Sequence, residues 1–195
     1  HMADRIFYLG GSAPIPLESL GPCGSWNINI PQFPAGICEA LRCADLPSAL
    51  AAVDVGGATT DAYSICEGLP RQMNTVYKGL PEPYAKRTVE GDIGMRYSVL
   101  GILDAVGARR LAELSGLPEQ RVQTLCRMLS EQTELVPDCD GELAQLDHAL
   151  ACMAVSTAAK RHAGTIAETY TLLGQTFVQA GGDLTAVRRV GAPGG

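Results

Sequence analysis

One short stretch of the chain, residues 51–65 (AAVDVGGATTDAYSI), constrains the fold more than any other. It begins as an apolar run that ends in β-branched residues, a pattern typical of a strand buried on both faces. An acid, two glycines and two threonines interrupt the run, and a second extended segment follows at residues 62–65. The pattern predicts a β-hairpin whose turn spans Gly56 to Thr60.

The residue types in this turn suit an anion. Gly56 and Gly57 have no Cβ, so their main-chain N–H groups can approach a phosphate closely. Thr59 and Thr60 add hydroxyl donors beside them. The combination favours phosphate binding.

Two carboxylates, Asp54 and Asp61, bracket the turn. Carboxylates beside a phosphate require a hard cation between them, and Mg²⁺ is the natural choice. The alternative is a glycine-rich turn in which Asp and Thr side chains satisfy nearby main-chain groups.

Residues 54–61 (DVGGATTD) resemble a phosphate loop of the actin, sugar-kinase and heat-shock-chaperone ATPase superfamily, which reads Asp-x-Gly-Gly-Gly-Thr-x-Asp. Ala58 stands where that loop has its third glycine. The resemblance implies an α/β, ribonuclease-H-like domain, a sheet with packed helices. It also implies that the loop from Gly56 to Asp61 holds the β- and γ-phosphates of ATP. Asp54 would be the catalytic residue and would hold Mg²⁺ through water.

Four later runs narrow the resemblance: KGLPEP (78–83), KRTVEGDIGMR (86–96), RHAG (161–164) and DLT (183–185). With the loop, they resemble the MutL-type accessory proteins encoded beside adenosylcobalamin-dependent glutamate mutase and aminomutases, which are unrelated to the mismatch-repair protein of that name. The resemblance implies an ATPase that reactivates or chaperones such a mutase, its protein partner. ATP binding and hydrolysis to ADP would drive the exchange of damaged cobalamin.

The same resemblance implies an adenosine loop at Gly191, Gly194 and Gly195, although Pro193 replaces a small polar residue there. A glycine pair of this kind is otherwise most often a flexible tail.

Ribose or base contacts are implied for Glu90, Asp92 and Arg161. The alternative for the two acids is a solvated turn with weak local ion pairs. For Arg161, the helix dipole alone explains a cation in the last turn of a helix, without adenine stacking.

Composition excludes several classes. A net charge of -6 and the lack of a basic cluster argue against nucleic acid. No apolar run has membrane-spanning length and no signal peptide is present, so we expect a cytoplasmic protein without membrane contact. Seven cysteines without a Cys-x-x-Cys pair predict reduced thiols rather than a metal site. Among them, Cys126 and Cys152 follow helical patterns that predict core packing.

We expect three parts: residues 1–2, which look like a tag remnant, an unassigned appendage at 3–36, and residues 37–195, which resemble part of the second domain of an actin-like ATPase. Strands are predicted at residues 5–9, 26–30, 73–77, 87–89 and 187–190, besides the hairpin. Helices are predicted at residues 34–41, 95–106, 109–114, 118–132 and 142–161. Residues 165–179 are ambiguous.

Nothing before Asp54 matches the first phosphate loop of the superfamily, roughly Asp-x-Gly-x-Thr. We therefore expect a larger protein that supplies it, and an isolated chain that hydrolyses little ATP. Two other functions stay open. One is a non-catalytic scaffold or interaction domain of the same fold, and the other is an activator ATPase or hydantoinase-like enzyme of the superfamily.

Overall fold

The structure is a computed structural model that describes residues 5–8, 15–16, 25–26, 50–138, 140–172, 174–187 and 189–192. The strands are β1 (Arg5–Tyr8), β2 (Ile15–Pro16), β3 (Ser25–Trp26), β4 (Leu50–Val55), β5 (Thr60–Ile65), β6 (Thr75–Lys78), β7 (Ala85–Glu90), β8 (Thr165–Thr171), β9 (Gly174–Ala180) and β10 (Arg189–Ala192). The helices are α1 (Val99–Val106), α2 (Ala108–Ser115), α3 (Glu119–Glu131) and α4 (Glu142–His162). This mixture confirms the α/β class.

The strands within the described residues form three sheets. The largest has the order β1-β10-β4-β5-β7, and β10 pairs in parallel with both β1 and β4. A second sheet has the order β6-β9-β8, and β2 pairs with β3 in a short antiparallel ladder. The predicted hairpin is confirmed, because β4 and β5 are neighbours joined by four residues.

The chain divides into two compact units, each described by itself below. The sheet unit contains the described residues of 1–52, 63–88 and 160–195. The helical unit contains the described residues of 53–62 and 89–159, and therefore the whole turn of the hairpin.

The core of the helical unit follows from the helical spacing of its apolar residues. In α3, Val122, Leu125, Cys126 and Leu129 share one face and are all buried. They pack with apolar residues of the other helices and with Ile93 in one cluster. Each fully buried Leu or Ile side chain stabilises the fold by roughly 1.5–3 kcal/mol.

A smaller apolar cluster supports the hairpin itself. Val53 of β4 and Ala62 of β5 pack against Ala158 of α4, all within the helical unit. Both strands of the hairpin, β4 before the turn and β5 after it, are therefore packed against α4.

Three expectations about the elements need correction. The strand predicted at 73–77 exists as β6 but belongs to the second sheet, while β7 takes the place beside β5. Alternation indicates a strand but does not identify its neighbour.

The helix predicted from residue 95 begins at Val99, because residues 94–96 are bound elsewhere, as described below. Cys152 is exposed, since it lies two positions and about 200° around α4 from buried Leu150.

The remaining expectations divide into those confirmed and those outside the described residues. The three later helices and the strands at 5–8, 85–90 and 189–192 lie close to their predicted positions. The ambiguous segment is the antiparallel pair β8 and β9. The helix predicted at 34–41, and the strand predicted at 26–30 beyond Trp26, lie outside the described residues.

Among the helices that the structure describes, none combines the length and the apolar character needed to cross a bilayer.

Candidate phosphate-binding loop

The turn between β4 and β5 is tight and exposed at its tip. The Gly56 N–H donates to the Thr59 carbonyl oxygen over 2.9 Å and closes the turn. Gly57 and Ala58 are exposed, whereas Thr60, two residues after Ala58, is buried. The tip is therefore accessible to a ligand, and its base is embedded in the fold.

A neighbouring segment, residues 94–96, holds the carbonyl side of this tip. The Met95 N–H donates to the Gly56 oxygen and the Arg96 N–H donates to the Gly57 oxygen, each over 2.9 Å. In a trans peptide unit the N–H points away from the C=O. The N–H groups of Gly57 and Ala58 consequently point away from residues 94–96.

Within the part of the chain that the structure describes, neither of these two N–H groups has a hydrogen-bond acceptor. Consecutive main-chain N–H groups on one side of a turn form an anion-binding concavity. Ala58 is compatible with this arrangement, because it has no positive φ that would demand glycine. The alanine in place of the third glycine therefore leaves the loop geometry intact.

The two threonines have different environments. The Thr60 hydroxyl is buried and donates to the Ile93 carbonyl oxygen over 2.9 Å. It thereby ties the start of β5 to the segment that follows β7. Thr59 is half-buried, and its hydroxyl makes no hydrogen bond to a described residue. Of the two hydroxyls, that of Thr59 is the one available to a phosphate.

The two bracketing acids lie in the strands that carry the loop. Asp54 is half-buried in β4, and Asp61 is buried in β5; both already interact within the fold. In the described residues no group of three or more His, Cys, Asp or Glu side chains is arranged for a metal. The donor set still fits Mg²⁺, which typically uses one or two carboxylates together with water and substrate phosphates.

Glu90 and Asp92 belong to the same unit as the loop. The Thr60 bond to Ile93 brings their segment against the base of the turn. A Cβ on Gly101 of α1 would stand only 1.8 Å from the Asp92 carbonyl oxygen, so α1 packs tightly on this segment. Glu90 is half-buried, Asp92 is exposed, and a ribose contact by either stays a prediction.

Of the residues expected to contact adenosine or the base, Gly191 and Arg161 belong to the sheet unit. Gly191 is buried in β10, where it pairs with Phe7 and Ala52. Gly194 and Gly195 lie outside the described residues. Arg161 is exposed in the last turn of α4.

Three of the family-like runs meet in the sheet unit through Lys86 and Glu82. Lys86 Nζ donates to Glu82 Oε1 over 2.6 Å and to the His162 carbonyl oxygen over 2.7 Å. Glu82 Oε2 accepts the Gly182 N–H over 2.8 Å. These two half-buried side chains therefore link three segments of the sheet unit.

His162, beside Arg161, is buried at the end of α4. Its Nδ1 lies 2.8 Å from Thr88 Oγ1 and its Nε2 lies 2.8 Å from Ser64 Oγ. Both ring nitrogens are thus bound to hydroxyls of the sheet, which fixes the last turn of α4 within the sheet unit.

Sequence reasoning assigned no role to Arg96 and missed Asp147 altogether. Arg96 Nη2 lies 2.7 Å from Asp147 Oδ2 and Nη1 lies 3.0 Å from Oδ1, a two-pronged ion pair. Arg96 Nε also donates to the Leu135 carbonyl oxygen over 3.1 Å. The only available signal was that Arg96 closes the run at residues 86–96, and nothing in the sequence identified its partner.

Comparisons with known proteins agree with the motifs. The family model described as MutL protein matches residues 33–195. The curated relative "Protein MutL" from Clostridium tetanomorphum is 40% identical over 146 residues, which is 75% of this chain and 31% of the relative. The chain thus spans about a third of the length of that relative. No solved structure matches the chain.

Proposed function

Because the chain belongs to the MutL family, as its motifs indicated, we propose that it carries the phosphate-binding part of an ATP site in an accessory protein of a mutase. The observation that supports this most is the pair of N–H groups on Gly57 and Ala58. They point to the same side of an exposed turn and have no acceptor among the described residues. A phosphate oxygen is the acceptor that such a pair suits best.

The order of the strands supports the ribonuclease-H-like fold that the superfamily implies. The strands β4, β5 and β7 are neighbours in that order, and the later strand β10 pairs with β4 in parallel on the opposite side. The turn after β4 then lies at the end of a central strand. Ligands of open α/β sheets commonly bind at such positions.

Five residues in and beside the loop have distinct roles in this proposal. Gly57 and Ala58 donate their N–H groups to the β- and γ-phosphates, and the Thr59 hydroxyl supplements them. Thr60 keeps the loop attached to Ile93. Asp54 orients water around Mg²⁺, and the metal, when bound, neutralises phosphate charge.

The proposed partner is an adenosylcobalamin-dependent glutamate mutase or aminomutase. Membership of the MutL family supports this assignment. In the proposal, ATP binding and hydrolysis in the intact protein drive release of damaged cobalamin from that enzyme. No observation in the described residues favours the scaffold or the hydantoinase-like alternative.

The test is a calorimetric titration of ATP, ADP and AMP into the full-length protein, with Mg²⁺ and with EDTA. We expect ATP and ADP to bind, AMP to bind much more weakly, and Mg²⁺ to strengthen ATP binding, because the loop contacts the distal phosphates. Absence of ATP binding, or equal affinity for AMP and ATP, would contradict the proposal and favour the non-catalytic alternative.

A further inference from the structure

We propose that Arg96 is a positioning residue for the phosphate loop, and that its ion pair with Asp147 maintains the orientation of the N–H groups of Gly57 and Ala58. This inference rests on the proposed function, because it assigns those N–H groups to nucleotide. All the residues involved belong to the helical unit.

Arg96 acts on the loop through its main chain. Its N–H donates to the Gly57 oxygen, and the preceding Met95 N–H donates to the Gly56 oxygen. These two bonds determine the rotation of the peptide units 56–57 and 57–58. Since the N–H groups of Gly57 and Ala58 belong to those peptide units, their direction depends on where residues 95 and 96 lie.

The side chain of Arg96 attaches that main chain to two other segments of the unit. Its guanidinium reaches both carboxylate oxygens of Asp147, the Leu135 carbonyl oxygen, and the carbonyl oxygen of its neighbour Met95. The planar guanidinium binds these acceptors in one orientation only. Asp147 lies on α4, and Leu135 lies in the segment between α3 and α4. Residues 95–96 are therefore attached to a packed helix rather than to a free loop.

Removing one member of this ion pair should have a larger effect than breaking an ordinary surface pair. The side chains of Arg96 and Asp147 are only 14% and 18% exposed. The pair Arg121–Glu142, which joins α3 to the same helix α4, is 48% and 52% exposed. Solvent screens the exposed pair, whereas loss of one member of the half-buried pair leaves the other poorly solvated. Arg121–Glu142 is thus a matched control.

The consequence for nucleotide binding is a coupling between the loop and α4. If Asp147 is lost, Arg96 no longer has a single orientation, and the bonds from residues 95–96 to the loop exchange with water. The N–H groups of Gly57 and Ala58 then lose their common direction. By reciprocity, bound nucleotide must stabilise the Arg96–Asp147 pair.

The test compares Arg96→Met and Asp147→Asn with two controls, all in the full-length protein. Arg121→Met removes the matched surface pair, and Leu129→Ala lowers stability through a core cavity in the same unit. For each variant we would measure the affinity for Mg²⁺-ATP, the melting temperature, and the hydrogen exchange of the Met95 and Arg96 amides. Arg96→Lys keeps the charge without the two-pronged geometry and serves if Arg96→Met does not fold.

We expect Arg96→Met and Asp147→Asn to weaken ATP binding by about tenfold or more, since small displacements of positioned groups have effects of this size. Arg121→Met and Leu129→Ala should stay within about twofold of wild type, although Leu129→Ala melts at a lower temperature. The double variant Arg96→Met/Asp147→Asn should bind ATP no more weakly than the single variant with the lower affinity. Both substitutions remove the same interaction, so their effects should not add.

Two results would overturn the inference. One is a folded Arg96→Met protein with unchanged ATP affinity, and the other is an equal loss of affinity in Leu129→Ala. If wild type binds no ATP, the proposed function is wrong, and hydrogen exchange decides the positioning role. Faster exchange at Met95 and Arg96 in Asp147→Asn, but not in Arg121→Met, would support it, and unchanged exchange would contradict it.

Discussion

Gly94 lies directly against the main chain of Ala58, and a Cβ placed on Gly94 would stand 2.4 Å from the Ala58 carbonyl carbon. No side chain fits between them without movement of the loop or of the segment at 94–96. This contact explains why a glycine is needed there, and it presses that segment against the tip of the turn.

The first prediction follows from this contact. Gly94→Ala should lower the free energy of unfolding by about 1–3 kcal/mol, because the new methyl group overpacks a site bounded by main chain. Gly91→Ala is the matched control, since a Cβ there would meet nothing within 4 Å. Urea unfolding of both variants checks the difference. Equal free energies of unfolding for Gly94→Ala and Gly91→Ala would mean that the loop moves aside at little energetic cost.

The second prediction concerns the tip of the loop. Gly57→Val should fold normally but lose most of its affinity for ATP. A Cβ at Gly57 would be in ordinary contact with Arg96 Cβ and the Tyr97 ring, 3.8 Å from each, and the two methyl groups of valine would crowd the exposed tip that a phosphate must approach. Circular dichroism and an ATP titration measure the two properties separately. Unchanged affinity in a folded Gly57→Val protein would make the loop purely structural.

The third prediction tests Asp54. If Asp54 orients water on Mg²⁺, Asp54→Asn should remove most of the gain in ATP affinity that Mg²⁺ provides, because the negative charge is lost. If Asp54 only accepts hydrogen bonds in the turn, the amide can replace it and the change should be mild. The measurement is an ATP titration of wild type and Asp54→Asn, each with Mg²⁺ and with EDTA. Equal dependence on Mg²⁺ in both proteins would assign Asp54 to the turn alone.

The fourth prediction concerns pH and Cys126. Burial raises the pKa of the Cys126 thiol to about 11, compared with about 8.5 in an unfolded chain. Between pH 8.5 and about pH 11 the thiol ionises in the unfolded chain but stays protonated in the folded chain. Its contribution to the free energy of unfolding is therefore complete below about pH 8.5 and declines as the pH rises toward 11. The loss should not exceed about 3–4 kcal/mol.

Cys126→Ala is the control for this prediction. It should be less stable than wild type at pH 8 because of the cavity, but its stability should fall less steeply between pH 8.5 and about pH 10.5. Urea unfolding at several pH values checks both slopes. Parallel slopes would show that the Cys126 thiol contributes nothing to the alkaline loss.

Much of the local structure could be predicted from the residues themselves. The acid, glycines and threonines at 54–61 separate two strand patterns, and this alone indicated the hairpin and its turn. Val122, Leu125 and Leu129 have the helical spacing typical of one helix face, in agreement with the helix predicted at 118–132, and the structure buries all three. Such signals succeed because turn chemistry and helical periodicity act between residues a few positions apart.

The tertiary structure decided which groups meet around the loop. Residues 94–96 looked like the start of a helix, but their N–H groups bind the carbonyl oxygens of Gly56 and Gly57 instead. The strand at 75–78 has the expected alternation, yet its neighbour is β9. Asp147 lies 51 residues after Arg96, with no pattern to connect them. The packing of the whole unit determines which of these distant residues meet. Rules of spacing and propensity act between near neighbours in the chain and do not describe that packing.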